Sequence, residues 1–200
     1  MPTSAPAQST LDHRYEKREV LAETDSSVVL RGFDRELERD VCIKLLKTTA
    51  EVSDPEAVLR FRREALTLSE IDCPSVVRVY DFGTLDGGPA IVMELVEGES
   101  LNARISRGSV PLVLGLRILR HLAEGLDRIH RLGVIHRDIK PANVLLTDAD
   151  GGELRIIDFG LAAVKARPSM AEACIAGTLH YMAPEQIMGA DVDPRNLDAR

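Results

Sequence analysis

Between Arg18 and Leu46 short apolar runs alternate with polar stretches, and the runs Val28-Val29-Leu30 and Val41-Cys42-Ile43-Lys44-Leu45-Leu46 read as strands. The charged segment Asp34 to Asp40 between them reads as a solvated hairpin connection. Asp54-Pro55-Glu56 carries a helix start, with Asp as N-cap, Pro at the first helical position and an acid in the first turn. The spacing predicts a helix from there to about Ile71, with Val58, Phe61, Ala65 and Leu68 on one face and Glu64 beside it. Two further strands are predicted at Val76-Val77-Arg78-Val79-Tyr80 and Ala90 to Leu95, joined by a turn at Gly87-Gly88-Pro89.

After Gly98 the pattern changes period. Leu112, Leu116, Leu119, Ala123, Leu126 and Ile129 fall at helical spacing and predict a long amphipathic helix over Leu112 to Leu132, stopped by Gly133. Short strands and turns follow. The fold class expected is α+β, with a small β-rich unit over 14–95 carrying one helix, and a mainly helical unit over 96–200. Two such units suggest a cleft where a small ligand binds. Residues 1–13, opening Met1-Pro2-Thr3-Ser4, predict a disordered tail, with neither the basic n-region nor the apolar h-region of a signal peptide.

Composition narrows the partners. The 25 Lys and Arg against 32 Asp and Glu leave a formal charge of −7, which argues against the basic footprint of a nucleic-acid binder. No apolar stretch approaches the roughly 18 residues of a membrane span, so no membrane segment is expected in this sequence. Cys42, Cys73 and Cys174 form no C-x-x-C pair, and their odd number suits a reducing, cytoplasmic location. His13, His121 and His180 have no metal-ligand spacing, and His130 fits a helix C-terminus.

The densest chemistry lies in His136-Arg137-Asp138-Ile139-Lys140-Pro141-Ala142-Asn143, followed fifteen residues after Asn143 by Asp158-Phe159-Gly160. A carboxylate, a cation two residues on, an amide five residues on and a second carboxylate suit phosphate-centred chemistry. Asp138 can accept a hydroxyl proton, Lys140 can neutralise charge on a transferred group, and Asn143 and Asp158 offer the hard oxygens that Mg²⁺ takes. Lys44 ends an apolar strand, where an ammonium needs an anionic partner, and Glu64 is the candidate.

At these positions the chain resembles the eukaryotic-type protein kinases, and most nearly their bacterial Ser/Thr branch. The likeness is ordered along the chain: Val41-Cys42-Ile43-Lys44, Phe61-Arg62-Arg63-Glu64, the loop from His136 to Asn143, Asp158-Phe159-Gly160 and Ala183-Pro184-Glu185. The resemblance implies a two-lobed kinase-like fold that transfers the γ-phosphoryl of ATP to Ser or Thr hydroxyls of protein substrates. It implies that Lys44, paired with Glu64, holds the ATP phosphates, that Asp138 is the catalytic base, and that Lys140 stabilises the transferring group. Asn143 and Asp158 would hold Mg²⁺, and Thr178 would contact Asp138 and Lys140. Adenine would lie against Leu21, Val29, Cys42 and Leu145 and bond the backbone of Glu94 and Val96, with Met93 as gatekeeper. His136 resembles the family's scaffold histidine. Domains of this family run to roughly 250 residues or more, so further helices of the second lobe are expected beyond Arg200.

One element departs from the family. Counting back from Lys44, the three glycines of the phosphate-binding loop fall on Ala22, Thr24 and Ser27, and Glu23 and Asp25 add negative charge there. The loop leaves two alternatives, an active kinase with weak nucleotide affinity or a pseudokinase acting as a binding or scaffold module. The intact Lys44, Asp138, Asn143 and Asp158 favour the first.

Overall fold

In the computed structural model, residues 10–24, 27–47, 65–66, 68–133, 136, 138–148, 153–158 and 181–182 are described. The chain divides into two compact units, Met1–Ser69 with Val79–Leu95, and Glu70–Arg78 with Val96–Arg200.

The first unit is an antiparallel five-stranded sheet of order β1-β2-β3-β5-β4. Its strands are β1 (Tyr15–Glu23), β2 (Ser27–Asp34), β3 (Arg39–Leu46), β4 (Val79–Leu85) and β5 (Gly88–Glu94). Alternation sets its two faces, because paired residues share a side and successive residues oppose. Leu30, Val41, Ile43, Ala90 and Val92 cluster on one face with Leu11, Tyr15 and Leu85. Val29, Lys44 and Ile91 are cross-strand partners on the other, with Cys42 opposite Met93.

Residues 10–13, expected within a disordered tail over 1–13, are ordered. Thr10 bridges Thr84 at the β4 edge and the Leu11 N–H donates to the Thr84 carbonyl at 2.8 Å. A tight turn, in which the Arg14 and Tyr15 N–H groups donate to the Leu11 carbonyl at 3.1 and 3.0 Å, then leads into β1 at the other end of the strand order. Leu11, 2% exposed, closes that core. One apolar side chain among polar neighbours carries no periodicity, so pattern alone could not place it.

The β4 boundary also moves. Val76 and Val77 belong to the second unit, where Val76 bridges Ile156 and the Val77 N–H donates to the Ile156 carbonyl at 3.0 Å. One apolar run thus serves two units. The β4–β5 turn is Asp86-Gly87, with φ of 51° and 77°, the two-residue form that matches strand twist. Gly88 and Pro89 lie inside β5, and pairing of β5 with β3 stops at Ala90, so the missing Pro89 donor costs the ladder nothing. Ala65, Leu66, Leu68 and Ser69 are helical, and the helix ends before Ile71. Ala65 and Leu68 are buried, as its predicted face requires.

The second unit holds α1 (Leu101–Ser106), α2 (Leu112–Arg131), a 3-10 turn at Pro141–Asn143, and a three-stranded sheet of order β6-β7-β8. Those strands are β6 (Glu99–Ser100), β7 (Val144–Leu146) and β8 (Leu154–Ile156). Helix α2 ends as predicted, with Gly133 at φ 75° and its N–H bonded to the His130 carbonyl. Its buried face is a correction. Ile118, Gly125 and Ile129 are buried, while Leu112, Leu116 and Leu119 are 77%, 58% and 61% exposed and Ala123 is exposed. The packed stripe shares Ile129 with the predicted one, but its centre lies roughly 130° around the axis from Leu112, Leu116 and Leu119. The packed one is set by Gly125, whose missing side chain admits Ile156, Ser75 and Val76. Hydrophobic spacing counts apolar residues and gives such a glycine no weight.

Gly98 makes a second close approach, since a Cβ there would lie 2.3 Å from the Leu146 carbonyl oxygen on β7. Gly98→Ala is therefore expected to force β6 from β7 and destabilise the chain by about 1–3 kcal/mol. Thermal unfolding measures this, and an unchanged midpoint would show that the strands separate freely.

Candidate functional site

In the second unit the site is assembled by a tight turn and two short strands. Pro141 fixes φ at the start of the 3-10 turn, and the Asn143 N–H closes it onto the Lys140 carbonyl at 2.9 Å. The turn swings the Asn143 amide back over Asp138. Nδ2 donates to the Asp138 carbonyl at 2.8 Å and to Asp138 Oδ2 at 3.0 Å. Lys140 Nζ reaches the same Oδ2 at 2.8 Å. The carboxylate is thus held through one oxygen, and Oδ1 has no hydrogen-bond partner among the described residues. Asn143 is 5% exposed, and with both its contacts made through Nδ2 its amide oxygen faces elsewhere as an acceptor.

His136 ties this turn to the strand that leads to Asp158. It is fully buried; Nε2 lies 3.0 Å from the Ile157 carbonyl, and the Asp138 N–H points to Nδ1 at 3.4 Å. With Nδ1 as the acceptor, Nε2 carries the ring proton that is donated to Ile157. The Ile157 N–H in turn donates to the Asn143 carbonyl at 2.9 Å. These bonds bring Asp138, Lys140, Asn143 and Asp158, twenty residues apart in sequence, into one neighbourhood.

Asp158 has φ 63°. The other non-glycine residues described with positive φ, Glu38 and Asp86, sit in hairpin connections. A left-handed aspartate costs roughly 1–2 kcal/mol, and such strain gathers at functional sites. Among the described residues no three His, Cys, Asp or Glu side chains form a metal cage. An amide oxygen and one carboxylate instead fit Mg²⁺, which keeps waters and phosphate oxygens in its shell.

In the first unit Lys44, 8% exposed, and Met93, 9% exposed, are buried on the face opposite the core cluster. Val29 and Cys42 are half-buried on that same face. Burial pushes the Cys42 thiol up to about 11 against the opposing pull of Lys44, so it stays protonated and acts as a small apolar group. Leu21 stands apart. It is the unpaired residue of a β-bulge between Val20 and Ala22, and it is 47% exposed. Glu94 ends β5, Val96 lies two residues beyond it, and Leu145 lies half-buried on β7. Glu64, Arg137, Phe159-Gly160, Thr178 and Ala183-Pro184-Glu185 lie outside the described residues.

Sequence reasoning missed the pairing of Thr24 with Ser27. The Ser27 N–H donates to Thr24 Oγ1 at 3.1 Å and the Thr24 N–H donates to the Ser27 carbonyl at 2.9 Å. The signal was present, a hydroxyl residue at each end of a four-residue connection. Glu23, expected to add negative charge there, has its carboxylate paired with Lys47 at 2.7 Å. Among the described residues no helix is long and apolar enough to cross a membrane.

Residues 15–198 match a family model described as a protein kinase domain. Over 197 residues the chain is 37% identical to the serine/threonine-protein kinase PknL of Mycobacterium tuberculosis, covering 97% of this chain and 49% of that protein. It thus spans about half the length of this curated relative. Among solved structures it is similar to the M. tuberculosis PknI kinase domain, with a TM-score of 0.70 and 28% identity over 90% of this chain and 66% of that one. Rad53 in complex with AMP-PNP gives the same TM-score at 27% identity, over 88% of this chain and 43% of that one.

Proposed function

Because the chain belongs to the protein kinase family, we propose that it transfers the γ-phosphoryl of ATP to serine or threonine hydroxyls of protein substrates, with Mg²⁺ as cofactor, in the cytosol. The observation that carries this reading is the Asp138 carboxylate, gripped at Oδ2 by Lys140 and Asn143 while Oδ1 has no partner among the described residues. A general base needs that arrangement, one oxygen fixed and one presented to the acceptor.

In this mechanism Asp138 Oδ1 orients the acceptor hydroxyl and takes its proton as the oxygen–phosphorus bond forms and ADP leaves. Lys140, beside Asp138, neutralises charge on the transferring phosphoryl. Lys44 holds the α- and β-phosphates. The Asn143 amide oxygen and Asp158 hold Mg²⁺, which when bound screens the charge on the phosphates. His136 keeps these two elements in register. In the first unit Val29, Cys42 and Met93 line the adenine site, with Leu21 at its rim and the Glu94 backbone bonding the base. Lys140-Pro141 and Thr178 support a Ser/Thr acceptor over tyrosine. The AMP-PNP complex of Rad53 supports a nucleotide in this role.

The test is calorimetric binding of Mg-ATP and transfer of labelled phosphate to a basic Ser/Thr protein, using the whole protein. Binding with transfer is the expected result. Binding without transfer, or neither, overturns the enzyme in favour of a scaffold module.

A further inference from the structure

Ser27 opens β2 at a position where the family's loop carries glycine, and it is only 6% exposed. A buried serine must satisfy its amide and its hydroxyl. Thr24 meets both needs. Its Oγ1 accepts from the Ser27 N–H at 3.1 Å and lies 3.1 Å from Ser27 Oγ, while its own N–H returns a bond of 2.9 Å to the Ser27 carbonyl. The β1–β2 turn is therefore latched at both ends by one pair of residues. Its ladder begins at once with Glu23 opposite Val28, and the Glu23–Lys47 ion pair flanks it.

A loop that cradles phosphate works by the opposite device, leaving its amide N–H groups without protein acceptors so that they can donate to phosphate oxygens. Resting on the kinase reading above, we propose that Thr24 is a specificity-determining residue. Its hydroxyl occupies the Ser27 amide and withholds it from the nucleotide's phosphates. The adenosine end then carries most of the affinity, and Mg-ATP gains less over adenosine than an unlatched loop would give.

Thr24→Val tests this, since valine keeps the branched shape and removes the hydroxyl. Mg-ATP and adenosine are titrated against wild type, Thr24→Val and Thr24→Ser, and exchange of the Ser27 amide is followed by NMR. The expected result is a Mg-ATP affinity raised roughly tenfold in Thr24→Val, the gain from one hydrogen bond to a charged acceptor. Adenosine affinity stays unchanged, and Thr24→Ser behaves as wild type. In wild type the Ser27 amide is protected before and after Mg-ATP is added; in Thr24→Val it is protected only after. An unchanged or weaker Mg-ATP affinity in Thr24→Val, with adenosine still bound, overturns the proposal alone. If none of the three proteins binds either compound, the kinase reading falls and the proposal falls with it.

Discussion

Asp138→Asn is expected to lower phosphoryl transfer by about 100- to 10,000-fold while leaving Mg-ATP affinity within a few-fold of wild type. Asparagine keeps the shape, and the backbone bond from Asn143 Nδ2 to the residue-138 carbonyl at 2.8 Å survives. What disappears is the basic oxygen. The lost Lys140 contact is a partly exposed pair, with side chains 21% and 28% exposed, so its removal costs about 1 kcal/mol or less. The thermal midpoint should therefore move little. That separation makes the experiment decisive: a kcat collapse with intact unfolding and intact nucleotide binding marks a chemical role. Transfer retained within tenfold would remove Asp138 as the base. A parallel loss of stability would show that the residue only holds the loop.

The loop around Asp138 was legible because its chemistry is local. Lys140, Pro141 and Asn143 fold back on Asp138 within six residues, so linear spacing already encodes their meeting. Strands β2 and β3 were legible because each carries a short, nearly unbroken apolar run bounded by polar residues. Three features were not. The packed face of α2 depends on Gly125, whose contribution is an absence of side chain. The run from Val76 divides between two units, a division that composition does not mark. Leu11 closes the first core from a tight turn between β4 and β1, the two ends of the strand order β1-β2-β3-β5-β4. The missing loop glycines could be read from sequence, but the latch that replaces them needed the register of β1 on β2.

The pairing least visible in sequence supplies the other large effect, for Arg14 and Asp34 are twenty residues apart and meet only because β1 pairs with β2. The guanidinium forks onto the carboxylate, Nε to Oδ1 at 2.9 Å and Nη2 to Oδ2 at 2.8 Å. Asp34 is fully buried and also accepts the Glu36 and Leu37 N–H groups, so it shapes the β2–β3 turn as well. Arg14→Ala leaves that buried charge facing Arg39 at 3.7 Å, which already stacks on Tyr80. The expected cost is about 2–3 kcal/mol at pH 7, below the range for a fully enclosed pair because Arg14 is 29% exposed. The hydrogen bonds from Arg14 hold the Asp34 carboxyl below the usual carboxylate range. Below that range the unfolded chain binds the proton that the folded chain refuses, so stability rises with pH there. The contribution is complete above the unfolded value of roughly 4 and is lost as pH falls through the lower folded value. Urea unfolding of wild type and Arg14→Ala should therefore differ by the full amount at pH 7 and converge as pH falls below the usual carboxylate range. A difference that stays constant across that interval would mean the arginine stabilises the sheet by packing on Tyr15, whose ring it overlies at 4.9 Å, and not through its charge.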